Sequence, residues 1–170
     1  GGEDIRFITR RLIISASEDI GNADPQAVLV AQSCWDLCER LGMPECRITL
    51  AQCATYLALA PKSNASYAAI KAAERDVREG RVQPVPAHLR DPNSSPITAG
   101  DGGRSVTLRD HRDEGGAKYI YSHTAGSDGG YAVTKQHYLT VERTYYEPTR
   151  CGFEAELQDR LGALRSHRRA

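Results

Sequence analysis

The five cysteines and five histidines carry the widest chemical range in this 170-residue chain. Cys34 and Cys38 lie four apart and share a face if that stretch is helical, with Cys46 and Cys53 following. A zinc centre draws on paired C-x-x-C or Cys/His spacings. The series 34–38–46–53 does not supply them, so buried apolar cysteine is the better account. An odd number of cysteines with no secretory leader points to reduced thiols in a cytosolic protein. His111 sits in Arg109-Asp110-His111-Arg112-Asp113, a histidine with acidic neighbours, but an irregular charged stretch does not hold the geometry for acid–base chemistry. Nothing near Cys53 or Cys151 is placed to stabilise a thiolate, so a small hydrolase built on His111 or Cys53 is disfavoured. Glu18-Asp19 could bind a cation. The plainer account pairs one carboxylate with Arg10 or Arg11 and sets the other at the start of the next helix.

Phosphate chemistry fares no better. There is no GxxxxGK[ST] loop, and the GDGGR run at 100–104 lacks the lysine, preceding strand and following helix of a phosphate cradle. HExxH, GxSxG and EF-hand patterns are also missing. No residue is therefore assigned to catalysis, a cofactor or a metal.

The elements around these residues are helical. Ile5, Ile8, Leu12 and Ala16 recur at helical spacing and predict an amphipathic first helix ending near Glu18. Asp24-Pro25 opens a second, to Leu41, stopped by Gly42. Its apolar members Ala27, Val28, Ala31, Cys34, Trp35, Cys38 and Leu41 form a broad stripe, which predicts a well-buried helix. A third spans about Pro44 to Ala60 and is apolar on nearly all sides, which places it at the centre of a bundle or at a subunit contact. Trp35, Leu50, Tyr56 and Leu57 are the candidates for that core or interface. A fourth runs from Ser63 or Asn64 to Gly80, with Glu74/Arg78 and Arg75/Glu79 as i,i+4 pairs on a solvated face. Prolines at 84, 86, 92 and 96 forbid further helix. Residues 91–118 read as a long loop, and 119–146 hold at most a short hairpin. A last helix is expected from about Cys151 to Arg165, capped by Thr149. The predicted fold is thus mainly α, a bundle of about five helices with a long Gly/Pro/Tyr-rich segment. Within one domain, 1–90 is the core, 91–148 the irregular segment and 149–170 the final helix and basic tail.

Lysine plus arginine equal aspartate plus glutamate at 22 each, so the basic excess of a nucleic-acid coat is absent. Tyrosines 119, 121, 131, 138, 145 and 146 alternate with Lys118, Lys135 and Arg143 and could stack single-stranded bases. Packing against a helical core with the hydroxyls left wet is the safer reading. Lys118, Lys135, Arg168 and Arg169 are the candidate DNA contacts. No apolar run is long enough to cross a bilayer, and the opening Gly-Gly-Glu suggests an excised fragment.

Four strings go further. RRLIISASEDIGNADPQA (10–27), RLGMPECRITLAQCATYLALAPKSNASY (40–67), PVPAHLRD (84–91) and YYEPTRCGFEAEL (145–157) occur in colinear order. Together they resemble the C-terminal domain of the bacterial replication-associated recombination protein A family and are similar also to the eukaryotic Werner helicase-interacting protein. Two stretches depart from the family pattern, Glu114-Gly-Gly-Ala-Lys118-Tyr119 and Gln136-His137-Tyr138-Leu139, the second lacking the proline expected next. The resemblance implies a parent AAA+ ATPase, related to clamp loaders and stimulated by DNA, that uses ATP and magnesium at stalled or damaged forks in the cytoplasm. It implies a helical C-terminal region that assembles a homotetramer, with DNA and replication proteins met through the parent. The expectation is a non-enzymatic oligomerisation domain. The alternative is a DNA- or partner-binding module using the Tyr/Lys/Arg-rich segment and basic tail.

Overall fold

The computed structural model describes residues 2–89 and 136–169, and all five expected helices are present. They are α1 (Ile5–Ser15), α2 (Gln26–Leu41), α3 (Cys46–Leu59), α4 (Ala65–Arg78) and α5 (Glu154–Arg169), with no strand among the described residues. The GDGGR run, His111, His123, Lys118, Lys135 and most of 119–146 lie outside those residues, and 136–146 form no hairpin strand. The chain divides into two units, one of Gly1–Arg81 with Thr144–Ala163, the other of Val82–Arg143 with Leu164–Ala170. Among the described residues no helix is long and apolar enough to cross a membrane.

In the first unit the helix ends follow local chemistry. Asp4 caps α1 by accepting the Phe7 N–H at 3.1 Å. The turn then does not stop at Glu18. It widens into a π turn (Ala16–Ile20) and tightens into a 3-10 turn (Gly21–Ala23), which carries the fully buried Ile20 into the core. Asp24 ends this passage, its carboxylate accepting the Gln26 N–H at 3.0 Å. Gly42 stops α2 at φ +67°, with its N–H on the Cys38 carbonyl. Lys62 closes α3, its ammonium reaching the carbonyls of Leu57 and Ala60 at 2.7 and 2.6 Å.

The core is made of small side chains. Ala27, Ala31, Cys34 and Cys38 of α2 face Cys46, Cys53 and Leu57 of α3, with Ala16 and Ile20 beneath. Alanine and cysteine let helix backbones approach closely. The expectation of a well-buried second helix needs correcting, because only those four α2 residues are buried. Trp35 is half-buried, and Val28 and Leu41 are exposed. Nor do the Glu74/Arg78 and Arg75/Glu79 pairs form. Glu79 instead accepts a hydrogen bond from Arg81, which also grips the buried Asp76 through two nitrogens.

Candidate functional site

Three of the four strings singled out in the sequence, 10–27, 40–67 and 145–157, meet at one buried carboxylate. Glu154, at the start of α5, is fully buried and accepts four hydrogen bonds. Ser63 Oγ donates at 2.6 Å, Tyr146 Oη at 2.8 Å, and the Thr149 amide and hydroxyl at 2.8 and 2.7 Å. Tyr146 Oη in turn accepts from Asn22 Nδ2 at 3.2 Å, and the same amide reaches Ser66 Oγ at 3.2 Å. Burial raises the carboxyl's pKa, but the donors from Ser63, Thr149 and Tyr146 outweigh it and hold Glu154 below its ordinary value. Tyr146 is pushed up, by burial first and then by its bond to Glu154. Every oxygen is occupied, so the cluster works as a clamp. Backbone contacts reinforce it, with the Phe153 N–H on the Ala23 carbonyl at 2.8 Å. Sequence reasoning missed Glu154. Its only local signal was a glutamate five residues after a threonine.

Asp19 and the buried thiols have local partners. Asp19 accepts from Ser15 Oγ at 2.6 Å, and among the described residues neither Glu18 nor Asp19 forms an ion pair. Arg10 lies instead over the Phe7 ring. Cys34, Cys38, Cys46 and Cys53 are buried and free. The sulfurs of Cys34 and Cys38 are 4.0 Å apart, and Cys46 Sγ is 3.5 Å from Met43 Sδ. Burial, then the neighbouring thiols, raises Cys34 to about 11 and Cys38 to about 12. Burial raises Cys53 too, so these are poor nucleophiles. No described group of three or more His, Cys, Asp or Glu is arranged to hold a metal ion.

What remains is surface. Of the four interface-or-core candidates, Leu57 is buried, and Trp35 and Leu50 are half-buried, Leu50 against the core. Tyr56 is exposed, with its hydroxyl donating to Asp24 Oδ2 at 2.7 Å. That bond, ahead of burial, raises its pKa. The rest of α3 is open: Ile48 is 71% exposed, Leu59 81%, and Ala51, Ala54 and Ala58 lie on the surface with them. Beside it Leu29 of α2 is 58% exposed. Between α2 and α3 runs a groove of about 230 Å³ lined by Leu29, Leu37, Thr49 and Gln52, with Cys34 and Cys53 among its lining.

In the second unit, Arg168 is already engaged. Its guanidinium binds both carboxylate oxygens of Glu142, one at 3.1 Å, and lies 3.3 Å from His137 Nδ1. That hydrogen bond holds the Glu142 carboxyl below its ordinary value. Gln83 exchanges two hydrogen bonds with the Val141 backbone, and His88 meets the His137 carbonyl at 2.8 Å. Of the DNA-contact candidates, Lys118, Lys135 and the side chain of Arg169 fall outside the described residues.

A family profile described as the MgsA AAA+ ATPase C terminal matches residues 1–165. The chain is 36% identical over 166 residues to the replication-associated recombination protein A of Escherichia coli K12, covering 96% of this chain and 34% of that protein. It is 42% identical over 168 residues to an AAA domain-containing protein of Mycobacterium tuberculosis, covering 97% and 33%. The ATPase WRNIP1 of Dictyostelium discoideum matches at 40% over 85 residues, half of this chain. The chain thus spans about a third of the length of its full-length bacterial relatives in E. coli and M. tuberculosis. On these matches, the chain belongs to the family of C-terminal domains of MgsA-type AAA+ ATPases, among the replication-associated recombination proteins.

Proposed function

We propose that this domain is the self-association module of its ATPase, joining four copies into a homotetramer. The carrying observation is the open α3 surface, where Ile48 and Leu59 stand in solvent beside exposed alanines. A monomer gains nothing from a helix apolar on both sides, whereas an oligomer buries it at roughly 25 cal/mol per Å². The work is geometric. Copies of an ATPase module tied to one core share a high effective concentration around a DNA substrate, and ATP and magnesium act in that module. DNA and replication proteins are met by the assembled parent in the cytoplasm, and the domain itself carries no catalysis. The engagement of Arg168 by Glu142 and the balanced charge give a DNA-binding role for the domain little support.

Light scattering across a dilution series tests this. The expected result is an assembly of about four chains that persists into the micromolar range, as a contact burying ~1,200–2,000 Å² would give. A monomer at micromolar concentration overturns it, and salt-sensitive DNA binding by that monomer would favour the alternative module.

A further inference from the structure

Helix α4 carries a second open face. Ile70 and Val77 are 55% and 63% exposed, Ala73 lies between them, and a shallow hollow of about 360 Å³ runs past these residues, Glu74 and Arg78. At about 100° of rotation per residue, Tyr67, Lys71, Glu74 and Arg78 all fall on one flank of that stripe. Among the described residues Glu74 and Arg78 form no ion pair, and Lys71 meets only the Tyr67 ring, 5.3 Å from Nζ to its centre.

This face complements an inverted copy of itself. In an antiparallel helix pair, like flanks meet. With a two-fold axis between residues 72 and 73, Lys71 meets Glu74 of the second copy and Glu74 meets its Lys71. The same axis sets Arg78 over Tyr67 of the second copy, a cation against an aromatic face, and again in reverse. Ile70 falls between Ala73 and Val77 of the second copy, one turn apart, as a side chain seats in the gap of a facing helix. Apolar stripe, charges and aromatic all obey one axis, which singles out a second copy as the occupant.

We propose that α4 packs antiparallel on α4 of another copy, and this rests on the self-association reading above. A closed tetramer with perpendicular two-fold axes needs two different self-complementary contacts, and the α2/α3 surface supplies the other. The α4 helix is about 21 Å long, too small a strip for the ~800 Å² per partner of a stable contact, so it forms the weaker, salt-sensitive step.

Sedimentation velocity on the whole chain, comparing wild type with K71E, E74K and the K71E/E74K double variant, tests the proposal. Each single reversal sets like charges together twice across the axis and should weaken the highest-order association step about tenfold or more, while the double reversal restores it to within about threefold. Lys71 and Glu74 are both exposed, so unchanged far-UV circular dichroism verifies the fold. Single variants that assemble like wild type, or a double variant as impaired as the singles, overturn the α4 contact alone. A wild type that stays monomeric at every concentration overturns the self-association reading with it.

Discussion

Ser63 and Glu154 stand 91 positions apart and share a 2.6 Å hydrogen bond in the interior of the first unit. Ser63 opens the turn into α4 and Glu154 begins α5, so one bond ties the end of the α3–α4 connection to the start of the last helix.

Removing that carboxylate strands its donors. Glu154→Ala leaves the hydroxyls of Ser63, Tyr146 and Thr149 and the Thr149 amide without their acceptor, and should cost about 3–5 kcal/mol in urea unfolding. Glu154→Gln keeps the shape but presents a neutral acceptor and two unwanted N–H donors, and should cost less.

The same group sets an acid limb. Its folded pKa lies below the unfolded one, so its contribution is complete above the unfolded pKa, about 4.3, and is lost as pH falls through the folded value. Stability measured from pH 7 down to 3 should fall more gently in Glu154→Gln than in wild type. Identical slopes would show the carboxylate to be uninvolved.

Glycine substitutions should split by position. Gly152 sits at φ +56°, and a Cβ there would lie 2.1 Å from the Ala23 carbonyl oxygen, so Gly152→Ala should destabilise by more than about 2 kcal/mol. Gly162 lies within α5 with nothing within 4 Å of an added Cβ, so Gly162→Ala should stabilise by about 0.5–1 kcal/mol. Thermal melts of the pair give opposite shifts in Tm.

Thiol labelling should be selective. Cys151 is half-buried and the other four cysteines are buried, three of them with raised pKa values. An aromatic disulfide reagent at pH 8 should react promptly with one thiol per native chain and with all five after denaturation. Fast reaction at several native sites would refute this packing.

Charges on the open α3 surface should separate assembly from folding. Ile48→Asp near the start of α3 and Leu59→Lys at its end each suit the helix dipole. Both should leave Tm of the separated chain within a few degrees while shifting light-scattering mass toward the monomer.

Much of this fold was legible locally. Gly42, Pro61 and Asp24 punctuate the chain through their own backbone preferences, and helical spacing located all five helices to within a few residues. Burial was harder. An apolar residue facing its own core and one facing solvent or another copy look alike in sequence, so the α2 stripe was drawn too wide at Val28 and Leu41. The π turn at Ala16–Ile20 has no side-chain signature. The Glu154 clamp was illegible because its partners lie 8, 91 and, through Tyr146 to Asn22, 124 positions apart. Periodicity reports only neighbours within a turn or two.

The backbone link from Phe153 to Ala23 has a consequence for biosynthesis. Ala23 leaves the ribosome about 130 residues before Phe153, so the first helices of this stretch wait through that interval for their last partner. Nascent chains arrested before that point should expose oily surface to chaperones and proteases, and a truncation placed before residue 153 should be far more damaging than one placed after residue 164.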